Sequence, residues 1–485
     1  MKRSASSLVV LAAALCAVSP LCRAADDVVV TPVDDGRVLM NPGMGWVMHY
    51  YDNGPTYGTT ISTGDDLRWF PGCSVVYLRL PWAVLEPEEG QFNWNAIDTP
   101  AQQWISRGGQ IAFRITCSET MKEATPEWVA RAGAKTIRWQ WNDAARKWGR
   151  APDGKFWECV PDDPIYLEKL GNFLAAFAKR YDGRPEVAFV DIGSVGVWGE
   201  GHTDRTIQLT PEETQRIVKL HMDLHLRHFR RTLLVANDDF TCSVKQTSPA
   251  MEYAREKGLG WRDDSIMVNK TFWYHERQAA DFWPTRPVVI EPGHYRYTKR
   301  CGLWSGETML ASIEAHHASF YSIHGDPKVF LEENRSAVAA ANRRLGYRFQ
   351  ARRIVYPSRI TADPDPEKAS PFKVTFAFAN AGVAPCYRSV FPCLTLKTAA
   401  GGIATVLADG GFDLSRLPVA APGKAEAVSH TAEYAVGRWR YPVLPSGEYG
   451  VFLSVGEVDG TPVCELPLPD GDGARRYRIG RIRIN

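Results

Sequence analysis

Two glutamates in this 485-residue sequence stand where an ionisable group meets tight backbone or aromatic rings. Glu291 follows three apolar β-branched residues in Pro287-Val288-Val289-Ile290-Glu291-Pro292-Gly293-His294, so an apolar run ends on a carboxylate. Glu200 lies in Ser194-Val195-Gly196-Val197-Trp198-Gly199-Glu200-Gly201-His202. Glycines on both sides let this backbone approach a ligand closely and present the Trp198 ring with the acid. Two carboxylates flanking one hollow are the working parts of glycosidic bond hydrolysis. One protonates the leaving oxygen; the other, ionised, attacks the anomeric carbon or activates water. A separation of about 5 to 5.5 Å implies retention, and about 6.5 to 9.5 Å inversion. Asp191, Asp238 and Glu119 are alternative carboxylates for the acid role.

Other side chains near the ends of apolar runs suit a sugar. Arg79 and Arg114 offer a rigid fork to carboxylates or hydroxyls. Trp46, Trp82, Trp198, Trp261 and Trp273 are flat rings on which the apolar face of a sugar stacks. His49, His202, His294, Tyr295, Asn237 and Asp238 are candidate hydroxyl-binding residues, and His324 joins the histidine group. The histidine spacing matches no metal signature and the cysteines form no C-x2-C pair, so neither a metal nor a cofactor is expected.

These residues converge only if the elements carrying them form a ring. Between 38 and 345, short apolar runs at 45–49, 75–80, 110–115, 187–192, 233–237, 259–262, 288–291 and 320–324 alternate with amphipathic segments at 97–107, 164–180, 211–227, 306–317 and 328–344. Near-continuous apolar runs are the pattern of parallel strands buried on both faces. Thr210-Pro211-Glu212-Glu213 supplies a cap, a first-turn proline and acids for a helix start. Eight strand–helix units predict a (β/α)8 TIM barrel, with chemistry at the C-terminal ends of its strands. No G-x-G-x-x-G follows an early strand, which argues against a doubly wound sheet. The stretch 136–161 reads as a long insertion in the third connection, suited to walling off a pocket and leaning toward exo action. After 345, runs at 372–380, 393–397, 403–408, 425–434 and 449–455 alternate between glycine, proline and aspartate breaks, predicting a C-terminal all-β sandwich. The expected organisation is 1–24 signal, 25–345 barrel and 346–485 sandwich.

Residues 1–24 have a basic start at Lys2 and Arg3, an apolar stretch too short to span a bilayer, and a small residue at 24. They predict export, to a secreted or periplasmic location. Eight cysteines follow the signal, an even number that permits disulfides. The formal charge is +2, from 57 basic and 55 acidic residues, without a basic stripe, so no nucleic-acid partner is expected. No internal apolar run is long enough for a transmembrane segment.

The run Val76-Tyr77-Leu78-Arg79-Leu80-Pro81-Trp82-Ala83-Val84-Leu85-Glu86-Pro87-Glu88-Glu89-Gly90-Gln91-Phe92-Asn93-Trp94 resembles the second-strand signature of clan A glycoside hydrolases, which include family 42 β-galactosidases. That resemblance implies Glu200 as acid/base after strand four and Glu291 as nucleophile at the end of strand seven. Gly199 stands where the clan carries asparagine. Asn41-Pro42-Gly43-Met44-Gly45-Trp46 and Asn380-Ala381-Gly382-Val383-Ala384-Pro385 are similar to motifs of uncharacterised secreted bacterial barrel proteins with a C-terminal sandwich. The expected function is an exported, retaining glycoside hydrolase acting on a poly- or oligosaccharide. The competing expectations are a non-catalytic carbohydrate-binding barrel and an assembly factor that makes contacts through its sandwich.

Overall fold

The computed structural model describes residues 27–51, 65–120, 123–142, 147–241, 248–268, 275–363, 365, 367–435 and 444–485. Residues 1–24, where a signal is expected, together with Cys242 and Trp273, fall outside them. In chain order the first strands are β1 (Asp27–Val30), β2 (Gly45–His49), β3 (Cys73–Pro81) and β4 (Gln110–Thr116). An excursion then adds β5 (Thr136–Asn142), β6 (Lys147–Arg150) and β7 (Phe156–Cys159). The ring resumes with β8 (Val187–Asp191), β9 (Leu234–Asn237), β10 (Gly260–Ile266), β11 (Val288–Pro292) and β12 (Phe320–Ile323).

Strands β2, β3, β4, β8, β9, β10, β11 and β12 close into one parallel barrel. Every residue of β2, β3, β9, β11 and β12 is buried, as the continuous apolar runs require. The helices outside begin on the predicted signals. Asp163 accepts from the Ile165 and Tyr166 amides at the start of Pro164–Tyr181. Thr210 and Glu213 form a reciprocal capping box at Pro211–His228. The excursion forms a three-stranded antiparallel sheet in the order β6-β5-β7, so the predicted insertion has its own structure beside the barrel mouth.

The second domain continues with β13 (Phe349–Pro357), β14 (Arg359–Ile360), β15 (Phe372–Asn380), β16 (Phe391–Lys397), β17 (Ile403–Ala408), β18 (Val428–Tyr434), β19 (Gly447–Gly456), β20 (Pro462–Cys464) and β21 (Tyr477–Ile484). One sheet runs β1-β13-β15-β18; the other runs β14-β21-β19-β16-β17, with β20 paired to β19. Phe372, Val374 and Phe376 meet Leu394, Leu396, Val451 and Leu453 in the shared core.

The expected domain boundary at residue 25 needs correction. β1 pairs antiparallel with β13, from Asp27 opposite Pro357 to Val30 opposite Ile354. Among the described residues, the chain therefore passes through the sandwich before entering the barrel. Asp34 holds this lead-in segment, taking Arg348 Nη2 at 2.6 Å and Arg348 Nε at 2.7 Å. Cys73, Cys117, Cys159, Cys301, Cys386, Cys393 and Cys464 are free thiols, with no disulfide among the described residues.

Candidate active site

Strand alternation builds the site. Side chains two apart point to the same side of a strand. Val47, Val75, Tyr77, Ala112, Phe189, Val235, Val289 and Phe320 pack together inside the barrel as one apolar layer. Two residues further toward the C-terminal ends, the inward positions become His49, Arg79, Arg114, Asp191, Asn237, Glu291 and Ser322. On β10 the inward series is Gly260, Arg262 and Asp264. An apolar plug thus lies beneath a polar floor, at the end of the barrel where such folds carry their chemistry.

Glu291 is 4% exposed and faces three cations or imidazoles. Its Oε2 accepts from Arg262 Nη2 at 2.7 Å and lies 3.1 Å from His49 Nε2. Its Oε1 lies 3.5 Å from His324 Nδ1. The His324 ring stacks on His49 at 4.5 Å, and His294 lies 3.7 Å away on the exposed side. Burial pushes the Glu291 carboxyl upward, but Arg262, His49 and the hydrogen bonds outweigh it and hold the group well below its usual range. Burial lowers His49 to about 4, so its ring is neutral at pH 7.

Glu200 arrives from the loop after β8. Trp198 has φ +61° and Gly199 φ +73°. A Cβ at Gly199 would lie 2.4 Å from the Gly193 carbonyl oxygen, so asparagine is sterically excluded from this crossing. Glu200 Oε1 lies 3.2 Å from Arg114 Nη2, and Oε2 lies 3.5 Å from His202 Nε2. Burial, reinforced by the Asp264 charge, raises this carboxyl above its usual range despite Arg114. His202 also lies 3.3 Å from Asp239. Burial opposes its charge, but Glu200 and Asp239 raise its pKa to about 9.

A buried ionic relay lies between the two glutamates. Arg262 contacts Asp264 at 2.6 Å and Asp191 at 3.4 Å. Arg114 contacts Asp191 and Asp264, each at 3.7 Å. Tyr77 donates to Asp191 at 2.7 Å, and Asn237 to Asp264 at 2.8 Å. Burial pushes Asp264 upward, but Arg262 and Arg114 hold it at about 2, as an anion.

The structure moves several expected sugar-binding residues away from the floor. Trp46 is fully buried on the outer side of β2 against Phe70, Tyr321 and Phe330, and its Nε1 donates to Asn342 at 2.8 Å. Trp82 packs under the helices on Trp128 and Phe173 and donates to Glu86. Trp261 stacks on His316, outside the ring. Tyr295 packs on Trp304 and Phe330, with its hydroxyl directed at Glu333. Each belongs to packing between strand and helix rather than to a pocket.

Among the alternative acids, Glu119 is buried and bound to Arg79 at 2.7 Å. Asp191 is buried in the relay. Asp238 is buried next to Asp263, Asp239 and Asp264; burial and these charges push its carboxyl well above its usual range. Trp198 remains half-buried at the mouth, edge-on to Trp148 at 5.0 Å and to His202 at 5.6 Å. Arg262, Asp264, Tyr77, Asp239 and Trp148 join the site without having been singled out. Tyr77 carried a signal, a polar residue two before Arg79 in an apolar run, whereas consecutive charges hide the alternation at Arg262 and Asp264, and Asp239 and Trp148 lie outside the barrel strands.

Residues 62–194 match the family Glyco_hydro_42, beta-galactosidase. The match spans β3, β4 and β8 and carries the resemblance seen at the second strand. No curated protein matches the chain. Among solved structures, endo-glycoceramidase II from Rhodococcus sp. is 12% identical, covering 83% of this chain and 98% of its own, with a TM-score of 0.40. GH5_18 from Streptomyces cattleya in complex with GlcNAc is 14% identical, covering 58% and 70%, with a TM-score of 0.39. An exo-beta-1,4-mannosidase from Opitutaceae bacterium strain TAV5 is 10% identical, covering 63% and 58%, with a TM-score of 0.36.

Proposed function

We propose that the protein is an exported glycoside hydrolase acting on a poly- or oligosaccharide by a retaining mechanism, with Glu291 as nucleophile and Glu200 as acid/base. The observation that carries this reading is the opposite displacement of the two carboxyls. Glu291 is held ionised by Arg262 and the imidazoles, whereas Glu200 is pushed toward its protonated form by burial and Asp264. Two acids whose environments drive their pKa values apart are suited to the two roles. Arg262 and His49 occupy Oε2, so Oε1 is the oxygen that attacks the anomeric carbon as Glu200 passes its proton to the leaving oxygen. Water, deprotonated by Glu200, then breaks the glycosyl–Glu291 ester.

Glu291→Gln is expected to abolish release of reducing sugar across a glycan panel while the chain still folds, because Arg262 keeps Asp264 and Asp191 as counter-charges. Full turnover in that variant would remove the nucleophile assignment. For a retaining enzyme, NMR shows the first-formed product with the anomeric configuration of the substrate; the opposite anomer would overturn retention.

A second reading, a sugar-binding barrel without turnover, draws on the closeness of the Glu291–Arg262 pair. Calorimetric binding of oligosaccharides, with no product from wild-type protein, would favour it.

A further inference from the structure

At the opposite end of the barrel, a cleft of about 620 Å³ opens where the N-terminal ends of β4, β8 and β9 meet the sandwich. Its size lies within the range of sites that enclose organic ligands. Six of its lining side chains are cationic: Arg184, Arg230, Arg231, Lys257, Arg286 and Arg388; none is acidic. The whole sequence has a formal charge of only +2, so this concentration of one sign is local.

Three of these charges have carboxylates nearby. Arg184 lies 3.5 Å from Glu186, Arg231 lies 3.8 Å from Asp182, and Arg388 pairs with Glu457. Arg230, Lys257 and Arg286 have no carboxylate partner among the described residues. The Arg286 guanidinium is instead fixed by donating to the Gly258 carbonyl at 2.6 Å and the Thr285 carbonyl at 3.0 Å. A second hollow of about 530 Å³ shares Arg230 and Lys257 and adds Arg227, extending the cationic surface. Its one acid, Asp223, accepts from the Tyr253 hydroxyl at 2.5 Å. Exposed Pro185 and half-buried Leu226 and Leu233 interrupt the charges with apolar surface.

We propose that this cleft binds an anionic glycan segment, one whose sugar rings carry carboxylate or sulfate groups. A concave wall of one sign concentrates counter-charged ligands. Guanidinium forks match the geometry of carboxylate and sulfate oxygens, and the apolar patches accept the faces of sugar rings. The extended surface suits several anionic groups along a chain rather than a single ion. That the occupant is a glycan rests on the function proposed above; its negative charge rests on the cleft alone.

The test is calorimetry on the full chain carrying Glu291→Gln, with a sulfated heparin oligosaccharide, an oligogalacturonate, a neutral cello-oligosaccharide and an oligothymidylate as probes. Binding of at least one anionic sugar, with the neutral one ignored, is expected. The affinity should fall with added salt, because exposed charges are screened over about 10 Å. The triple change Arg230→Ala, Lys257→Ala and Arg286→Ala should weaken binding about tenfold or more with the Tm unchanged. Should the triple variant unfold, Arg230→Glu alone carries the same expectation. The sulfated and uronic probes distinguish the acid group. Unaltered binding in the variants, failure of both anionic sugars to bind, equal binding of the neutral sugar, or tighter binding of the oligothymidylate would each overturn the proposal. Wild-type turnover without binding here removes this inference alone. Binding here with an inert wild-type barrel removes the hydrolase reading alone.

Discussion

At the scale of single residues, the ionisation of Glu291 depends on Arg262. Arg262→Met removes the positive charge that opposes burial, so the Glu291 pKa should rise. The acid limb of the pH–rate profile should then move to higher pH, an effect that loss of packing alone would not produce. Removing one partner of such a buried pair costs about 3 to 5 kcal/mol, so the Tm should fall as well. His202 gives a prediction of opposite sign. Its raised pKa of about 9, against an ordinary 6.5, contributes stability that is complete below about pH 6.5 and is lost as pH rises through 9. Denaturation of wild-type protein and His202→Gln across that window should show the alkaline decline in the former and a flatter profile in the latter. Glu200 and Glu291 were legible in the sequence because each ends or follows an apolar run beside glycine or proline. Arg262 and Asp264 were not, because the sixth run reads as ending at 262, and charges beyond it resemble a loop.

At the scale of elements, parity along a strand separates pocket from packing. Trp46 is one residue out of step with the inward pair Val47 and His49, and Trp82 follows the inward series Tyr77, Arg79 and Pro81. Both rings therefore lie in the shell between strands and helices, a distinction that aromatic type and strand-end position do not make. Trp46→Ala should cost about 3 to 5 kcal/mol in chemical denaturation. Trp198→Ala, at the half-buried mouth, should instead raise KM for an oligosaccharide substrate with a smaller loss of stability. An unchanged KM with a large fall in Tm would place Trp198 with the packing tryptophans. The eight barrel runs were readable to within a few residues because burial on both faces leaves long apolar stretches. The sheet formed by β5, β6 and β7 read only as an insertion, since its half-exposed strands lack that signal.

At the scale of the whole molecule, the lead-in segment is tied to the sandwich by side chains as well as by the β1–β13 ladder. Asp34 accepts two bonds from the buried Arg348 guanidinium and one from Gln350 at 2.5 Å. Asp34→Ala leaves that guanidinium without its counter-charge and should lower stability by about 3 kcal/mol, read as a shift in the urea midpoint. The fold class was legible because the change from alternating strands and helices to strands alone is strong. The place of β1 was not, because its partner lies beyond the entire barrel.

That pairing dictates an order of assembly. As the polypeptide emerges from the ribosome, Val28 and Val30 appear early, yet their hydrogen-bonding edge does not exist until Tyr356 and Ile354 have followed. The barrel must form, or wait, inside a loop whose two ends are clasped last. Long-range closures of this kind are slow, and unpaired strand edges invite association with other chains. The leading strand therefore stays an open edge until residues 354–357 have been made.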